Sequence, residues 1–462
     1  MSPAPSESIS YHYNNNQRHR HTVDTSTAGV SAAAATAATA GSSSLHYTPR
    51  RPGQITEIYN CRVLRDHAIH DNESIWIRDG KIIDPRPLFF DRTLASGADI
   101  RIDAHNAIVV PGFIDIQLNG AFGVDFSDIE SVSKLSTGLT KVAKGLLVTG
   151  CTAFCPTTVS SRPELYRKAL PHLGPRIGSP SLGAHSLGAH VEGPFICPEK
   201  RGAHELATLR DAKKGGMADF DFCYGLDNLR SNCAIITVAP EVPGVMDCIP
   251  RLVKECGLVV SEGHSMALTS QSEEAVRKGA TCITHLFNAM NQFHHRDPGI
   301  IGLLGSTMRP RPFYGIICDG IHVHPNSVKM AYYAHPKGAI LVTDAMSAMG
   351  LKPGKYTLGK MSVEKLEDRV YLRGTETLAG AVAPMNECVR NFIQFADCSL
   401  VEAIEAATLH PAKLLGIEKR KGTLRYGADA DLLFINENID ILKVFLMGEE
   451  CPLDPVSPVQ CD

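Results

Sequence analysis

Glu192, His264 and His285 are the residues whose types and settings best suit joint chemistry. Glu192 lies in His190-Val-Glu-Gly-Pro, which ends an apolar run from Ser186. Read as a strand, this stretch points His190 and Glu192 to one face, and Gly193-Pro194 stops it just beyond. His264 closes Gly257-Leu-Val-Val-Ser-Glu-Gly-His, and His285 closes Cys282-Ile-Thr-His. One carboxylate and two imidazoles leave a tetrahedral ion with one open position, the ligand count of a catalytic zinc site. Any one of these residues alone reads as a satisfied buried polar group. Three at equivalent strand ends read as a metal centre.

Ligands this far apart in sequence need a frame that gathers strand ends. Eight apolar runs with strand character begin at Gly112, Thr152, Leu187, Ala234, Gly257, Thr281, Tyr314 and Ala339. Helix-like segments, such as 271–278 and 325–334, separate several of them. Strands alternating with helices imply a parallel sheet, and eight of them imply a closed (β/α)8 TIM-like barrel in the α/β class. Such barrels place chemistry at the carboxyl ends of their strands. Glu192 then follows strand three, His264 strand five, His285 strand six, His322 strand seven and Asp344 strand eight. A doubly wound open sheet is the alternative, but it gathers strands three, five, six and eight around one ion less readily.

Short β-type runs flank this region. Ile55-Thr-Glu-Ile-Tyr-Asn, Ser74-Ile-Trp-Ile-Arg and Lys81-Ile-Ile precede it, with Asp79-Gly80 as a hairpin turn, and runs from Gly427 and Ile441 follow it. The reading is a small β-sandwich domain built from both chain ends, residues 54–110 and 421–462, around a barrel over 111–420. Residues 1–53 are rich in Ser, Thr, Ala, Asn and His and nearly lack large apolar residues. They read as a disordered low-complexity tail, unable to offset ordering entropy by burial.

Composition excludes several classes of partner. Across 462 residues, 46 Lys and Arg nearly balance 49 Asp and Glu, which argues against a nucleic-acid partner or an acidic membrane surface. Hydrophobic content of 44% is ordinary for a globular protein, and no apolar run is long enough to span a bilayer. Fourteen cysteines without a secretory signal point to a reducing compartment, hence the cytoplasm.

As an ordered set, six motifs carry a family resemblance: Pro111-Gly-Phe-Ile-Asp-Ile-Gln-Leu-Asn-Gly, His190-Val-Glu-Gly-Pro-Phe, Glu262-Gly-His, Thr284-His-Leu-Phe-Asn-Ala-Met, Asp319-Gly-Ile-His and Val342-Thr-Asp-Ala. Gly427-Ala-Asp-Ala-Asp-Leu matches the return strand into a small β domain. The chain resembles the amidohydrolase superfamily and, within it, the deacetylases that act on N-acetylglucosamine 6-phosphate. The likeness spans roughly residues 55 to 450. It implies removal of the acetyl group from N-acetyl-D-glucosamine 6-phosphate, giving D-glucosamine 6-phosphate and acetate, in amino-sugar catabolism or recycling. Many superfamily members carry His-x-His after strand one, where this chain reads Gln117-Leu-Asn119. The expectation is therefore one divalent ion per subunit, held by Glu192, His264 and His285. Zinc suits this nitrogen-and-carboxylate set, with iron, cobalt and manganese as alternatives.

The remaining roles combine residue chemistry with the resemblance. An acetamide is a poor electrophile and neutral water a poor nucleophile, so a proton acceptor beside the ion is needed. Asp344 at the end of strand eight is the candidate; the bland alternative is a helix N-cap. The resemblance makes His204 an oxyanion stabiliser and substrate contact, and His322 another substrate contact. It also implies substrate contacts at Leu378, Ala379 and Gly380. Asn288 and Ala289 follow strand six, where backbone N–H groups can receive a phosphate. Arg296 aligns with the family's phosphate-binding arginine, supplied to the neighbouring subunit's site in a homodimer. His190 is expected to support Glu192. Two other readings remain open at this stage. One is another hydrolase of the fold acting on a cyclic amide or an N-acyl amino acid; the other is a non-catalytic member.

Overall fold

The computed structural model describes residues 51–90, 97–128 and 132–453. Residues 1–50, nearly all of the expected tail, lie outside that range.

The barrel starts with Phe113–Leu118, buried at every position, as befits a parallel strand covered on both faces. Strand two is Cys151–Thr158, three Ala189–Glu192, four Cys233–Val238, five Val259–Glu262, six Ala280–Ile283, seven Phe313–Ile317 and eight Ala339–Val342. Each neighbouring pair from one to eight is parallel and in sequence order. Strand three has a forerunner, His185–Ser186, which pairs with strand two further back. The eight expected runs each coincide with one of these strands.

Strands eight and one close the ring through a different kind of contact. Asp344 N donates to Gln117 O (2.9 Å) and Asn119 N to Ala345 O (2.8 Å). Below them, the buried Asp115 carboxylate accepts from Thr343 N (3.3 Å) and Thr343 Oγ1 (2.5 Å). Side chain thus supplements backbone at the seam, directly beneath Asp344.

Helices cover the outside. Val245–Cys256 buries Val245, Cys248, Ile249, Leu252 and Cys256, the one-sided spacing of an amphipathic helix. It ends at Gly257, in the left-handed region at φ 71°, where Gly257 N returns to Val253 O and Leu258 N to Leu252 O. The helices expected at 271–278 and 325–334 run over Thr269–Lys278 and Pro325–Ala334.

Both chain ends contribute to an eight-stranded sheet. Its order is Glu449–Cys451, Ile441–Leu446, Leu432–Ile435, Ile108–Pro111, Ile55–Arg65, Ala68–Arg78 and Lys81–Ile83, with Ile100–Asp103 also paired to Ile55–Arg65. The sandwich expected there is hydrogen-bonded as this one sheet, with a core of its own that includes Ile58, Ile75, Leu432 and Phe445. A three-stranded antiparallel insert, Gly354–Leu358, Met361–Leu366 and Arg369–Leu372, follows strand eight and has no counterpart in the sequence reading. No helix among the described residues is long and apolar enough to cross a membrane.

Candidate metal centre

The strand ends bring three donor atoms into a near-equilateral triangle. Glu192 Oε1 lies 3.0 Å from His264 Nε2 and 3.0 Å from His285 Nε2, and the two nitrogens are 3.0 Å apart. All three residues are buried. His264 Nδ1 is 2.8 Å from the Lys200 carbonyl. That oxygen can only accept, so Nδ1 carries the proton and Nε2 turns its lone pair to the centre. Burial alone would raise the Glu192 carboxyl, but the His264 and His285 imidazoles overcome it and hold the group well below its ordinary range. A carboxylate oxygen and two imidazole nitrogens converging in a buried site suit a divalent cation, which would take the place of the proton that Glu192 otherwise holds on His285.

Local backbone places these groups at some cost. His264, His285 and Asp344 adopt φ of 49°, 26° and 49°, in or near the left-handed region that side chains other than glycine seldom occupy. Each is the second residue past its strand, where the turn aims the side chain back across the mouth. Strain of this kind collects at functional sites.

His204 stands beside the triangle in a different protonation geometry. Glu192, His204 and His264 offer atoms all within 4.8 Å of one another, so this trio too could hold an ion. However, Ser160 N donates to His204 Nδ1 at 3.1 Å. Nδ1 therefore accepts. Burial, and then His264, push the His204 imidazole down to about 3, so the ring is neutral near neutral pH and its proton sits on Nε2. That nitrogen is a hydrogen-bond donor, which suits an oxyanion better than a cation. The 3.0 Å triangle is also the tighter of the two groupings.

Asp344 meets the same centre from the opposite side of the mouth. Its Oδ1 accepts from Asn119 Nδ2 (2.7 Å) and Gln117 Nε2 (3.3 Å). The same Gln117 nitrogen donates to Glu192 Oε1 at 3.1 Å. One amide therefore fixes two carboxylates relative to each other. Burial, and then the Glu192 charge, raise the Asp344 carboxyl to about 7.

A cavity of about 240 Å³ opens over these groups. His204, Asn288, Ala289, His322, Leu378 and Gly380 line it with the triangle and Asp344. His322 Nδ1 donates to Asp319 Oδ2 at 2.6 Å, which orients the ring. Two expected contacts are placed elsewhere. Ala379 is buried behind its neighbours, with its N–H on Val370 O. Arg296 is exposed, outside this cavity's lining, with its N–H on His294 Nδ1. Both ring nitrogens of His190 are taken, by Ile116 O (2.9 Å) and Thr237 Oγ1 (2.7 Å), so it ties strand three to strands one and four rather than bonding Glu192. The sequence reading missed Asn119, Val159, Gly202, Ala203, Ile317, Leu358 and Thr377 in the lining. It noted Gln117 only for the imidazole it lacks.

A carboxylate, two imidazoles and a hydrogen-bonded aspartate at the mouth of such a barrel define a hydrolase centre of metal-dependent type. Residues 108–451 match the model of the amidohydrolase family. A Danio rerio protein named N-acetylglucosamine-6-phosphate deacetylase is 48% identical over 399 residues, covering 86% of this chain and 96% of its own. The Homo sapiens protein of that name is 47% identical over 400 residues, covering 86% and 95%. Among solved structures, N-acetylglucosamine-6-phosphate deacetylase from Pasteurella multocida superposes with a TM-score of 0.73 at 28% identity, covering 86% and 99%. A Mycobacterium smegmatis variant in complex with N-acetyl-D-glucosamine-6-phosphate gives 0.72 at 25%, covering 86% and 99%. The chain belongs to the amidohydrolase family and, within it, to the N-acetylglucosamine-6-phosphate deacetylases.

Proposed function

We propose that this protein hydrolyses the acetamide of N-acetyl-D-glucosamine 6-phosphate to D-glucosamine 6-phosphate and acetate, in amino-sugar catabolism or recycling. The observation that carries the reading is the donor triangle facing Asp344 and His204 across one cavity, in a chain so similar to deacetylases of that name. Glu192, His264 and His285 would hold one divalent ion per subunit, zinc by their donor chemistry, with Fe2+, Co2+ and Mn2+ as alternatives. Bound there, the ion supplies Lewis acidity to the water and the amide carbonyl.

The protein's own groups do the rest. Asp344 takes a proton from the attacking water and returns it to the amine nitrogen as the C–N bond breaks. Gln117 and Asn119 hold its carboxylate in place for both transfers. His204 Nε2–H donates to the carbonyl oxygen as negative charge develops there. His322, Leu378 and Gly380 contact the sugar, and the backbone at Asn288 and Ala289 receives the phosphate. The residues described as lining the cavity include no Lys or Arg, which supports Arg296 entering from the neighbouring subunit of a homodimer. The exposed Gln292-Phe-His-His-Arg loop is placed to reach outward. The same reading divides the chain at 54–110, 111–420 and 421–462 and places it in the cytoplasm.

Measuring acetate release from N-acetylglucosamine, N-acetylglucosamine 6-phosphate and N-acyl amino acids tests this directly. The phosphorylated sugar should be strongly preferred. Preference for an N-acyl amino acid would move the protein to a different reaction of the same fold.

A further inference from the structure

A second cavity, of about 310 Å³, adjoins the catalytic one. Val159, Ala203 and Leu358 line both, so the two cavities meet at these three side chains. The topology says which part of a substrate faces this junction. Asn288, Ala289 and His322 lie past strands six and seven, whereas Val159 and Ala203 lie past strands two and three, across the ring. If the sugar phosphate occupies the strand six and seven side, the acyl carbon carried at the donor triangle turns its other substituent toward strands two and three. His204 marks the border: it lines the catalytic cavity, while Ser160, bonded to its Nδ1, lines the second.

The second cavity combines apolar lining, from Val159, Leu165, Leu358 and Met361, with an excess of cationic over acidic side chains. Arg162, Lys168 and Lys360 line it, are exposed, and form no ion pair with a carboxylate among the described residues, and the hydroxyl-bearing Ser127, Ser160 and Ser161 lie among them. Glu164 and Glu205 leave the lining with one excess positive charge. An acetyl methyl has no use for such surroundings. A carboxylate at the end of a longer acyl chain does, since charge-assisted hydrogen bonds to guanidinium and ammonium groups are the stronger kind.

Resting on the deacetylase reading, we propose that this cavity is an acyl-tail subsite. It extends the activity to amino-sugar phosphates whose N-acyl group ends in a carboxylate, such as succinyl or glutaryl. The reaction is the same hydrolysis. Water oxygen bonds to the acyl carbon, the C–N bond breaks, the proton passes to the amine, and the products are a dicarboxylate and glucosamine 6-phosphate.

The test compares N-acetyl, N-butyryl, N-succinyl and N-glutaryl glucosamine 6-phosphate on the intact metal-loaded protein and on an Arg162→Ala/Lys360→Ala variant. In the wild type, kcat/KM for a carboxylate-tipped substrate should exceed that for N-butyryl by about tenfold. The variant should lose that advantage while hydrolysing the N-acetyl substrate as before, which also reports that it is folded. An absent advantage, or one that survives in the variant, overturns the subsite while leaving deacetylation intact. Failure of the wild type on the N-acetyl substrate overturns the deacetylase reading, and the subsite with it.

Discussion

His264 Nε2 and His285 Nε2 lie 3.0 Å apart, each also 3.0 Å from Glu192 Oε1. Two imidazole nitrogens do not approach this closely in a buried site without a proton or a cation between them. The Lys200 carbonyl has already claimed the His264 proton on the far side of the ring. The relationship ties the fold to the chemistry, because it exists only when strands three to six stand in register.

Asp344→Asn should keep the metal and lose about 10²–10⁴-fold in turnover, the usual worth of a positioned acid–base group. Asn keeps the shape and can still meet Asn119 and Gln117, but it cannot carry the proton. Metal content and single-turnover rates check this. Turnover near the wild-type rate would move the proton transfer to another group.

The barrel seam gives a second expectation. Asp115 takes both Thr343 donors directly beneath Asp344. Asp115→Ala leaves Thr343 N and Gln117 N without that acceptor in a buried interior, at a cost of about 1–3 kcal/mol, before the space it opens is counted. Tm and turnover should fall together with metal retained. Thr343→Val removes one hydroxyl and should do less. An Asp115→Ala protein with wild-type Tm would show that the backbone contacts close the ring alone.

A pH effect follows from His410. Its Nδ1–H donates to Ala339 O at 2.7 Å, and burial lowers the imidazole to about 4. In the unfolded chain the ring titrates near about 6.5. Between those values the unfolded state binds a proton that the folded state refuses, so stability falls as pH drops through that window and is unaffected above it. At pH 5 the loss is about 2 kcal/mol. His410→Asn can keep the donor without the titration. Its Tm should fall less between pH 7.5 and 5 than that of the wild type. Metal release in acid affects both proteins alike, so the difference isolates His410. Equal falls would remove it as a source of acid sensitivity.

Much of this arrangement was legible in the sequence, for a physical reason. Strands of a parallel barrel are buried on both faces, so Phe113–Leu118 and Ala339–Val342 stand out as apolar runs, and polar residues just past such runs, such as His264 and Asp344, are conspicuous. What stayed hidden depends on contacts between distant segments. Nothing near Gln117 in the chain says that its amide reaches both Glu192 and Asp344. Leu378 and Gly380 reach the cavity while Ala379 does not, because Ala381 N bonds to Asp344 O and sets that segment's register. The insert over Gly354–Leu372 mixes charged and apolar residues, and each of its strands leaves at least one position exposed, so it offers little contrast to read.

Arg296→Ala should weaken phosphorylated substrate through KM, by about ten- to a hundredfold if one charge-assisted contact of about 1.5–3 kcal/mol is lost. An unphosphorylated analogue should be nearly unaffected. Mixed dimers of Arg296→Ala with Asp344→Asn should regain activity if Arg296 acts across the interface. No recovery, with mixed dimers verified by mass, would confine Arg296 to its own subunit's site or remove it from catalysis.

The most direct test is the metal content of two purified single variants, His285→Ala and His204→Ala, measured by elemental analysis beside the wild type. The proposed reading gives His285 a lone pair on the ion and His204, whose Nδ1 accepts from Ser160 N, a proton directed to the substrate. His285→Ala should therefore lose its metal, whereas His204→Ala should keep close to the wild-type amount and still be slow. A His204→Ala protein that is empty beside a fully loaded His285→Ala protein would contradict the account, and would make Glu192, His204 and His264 the ligands instead.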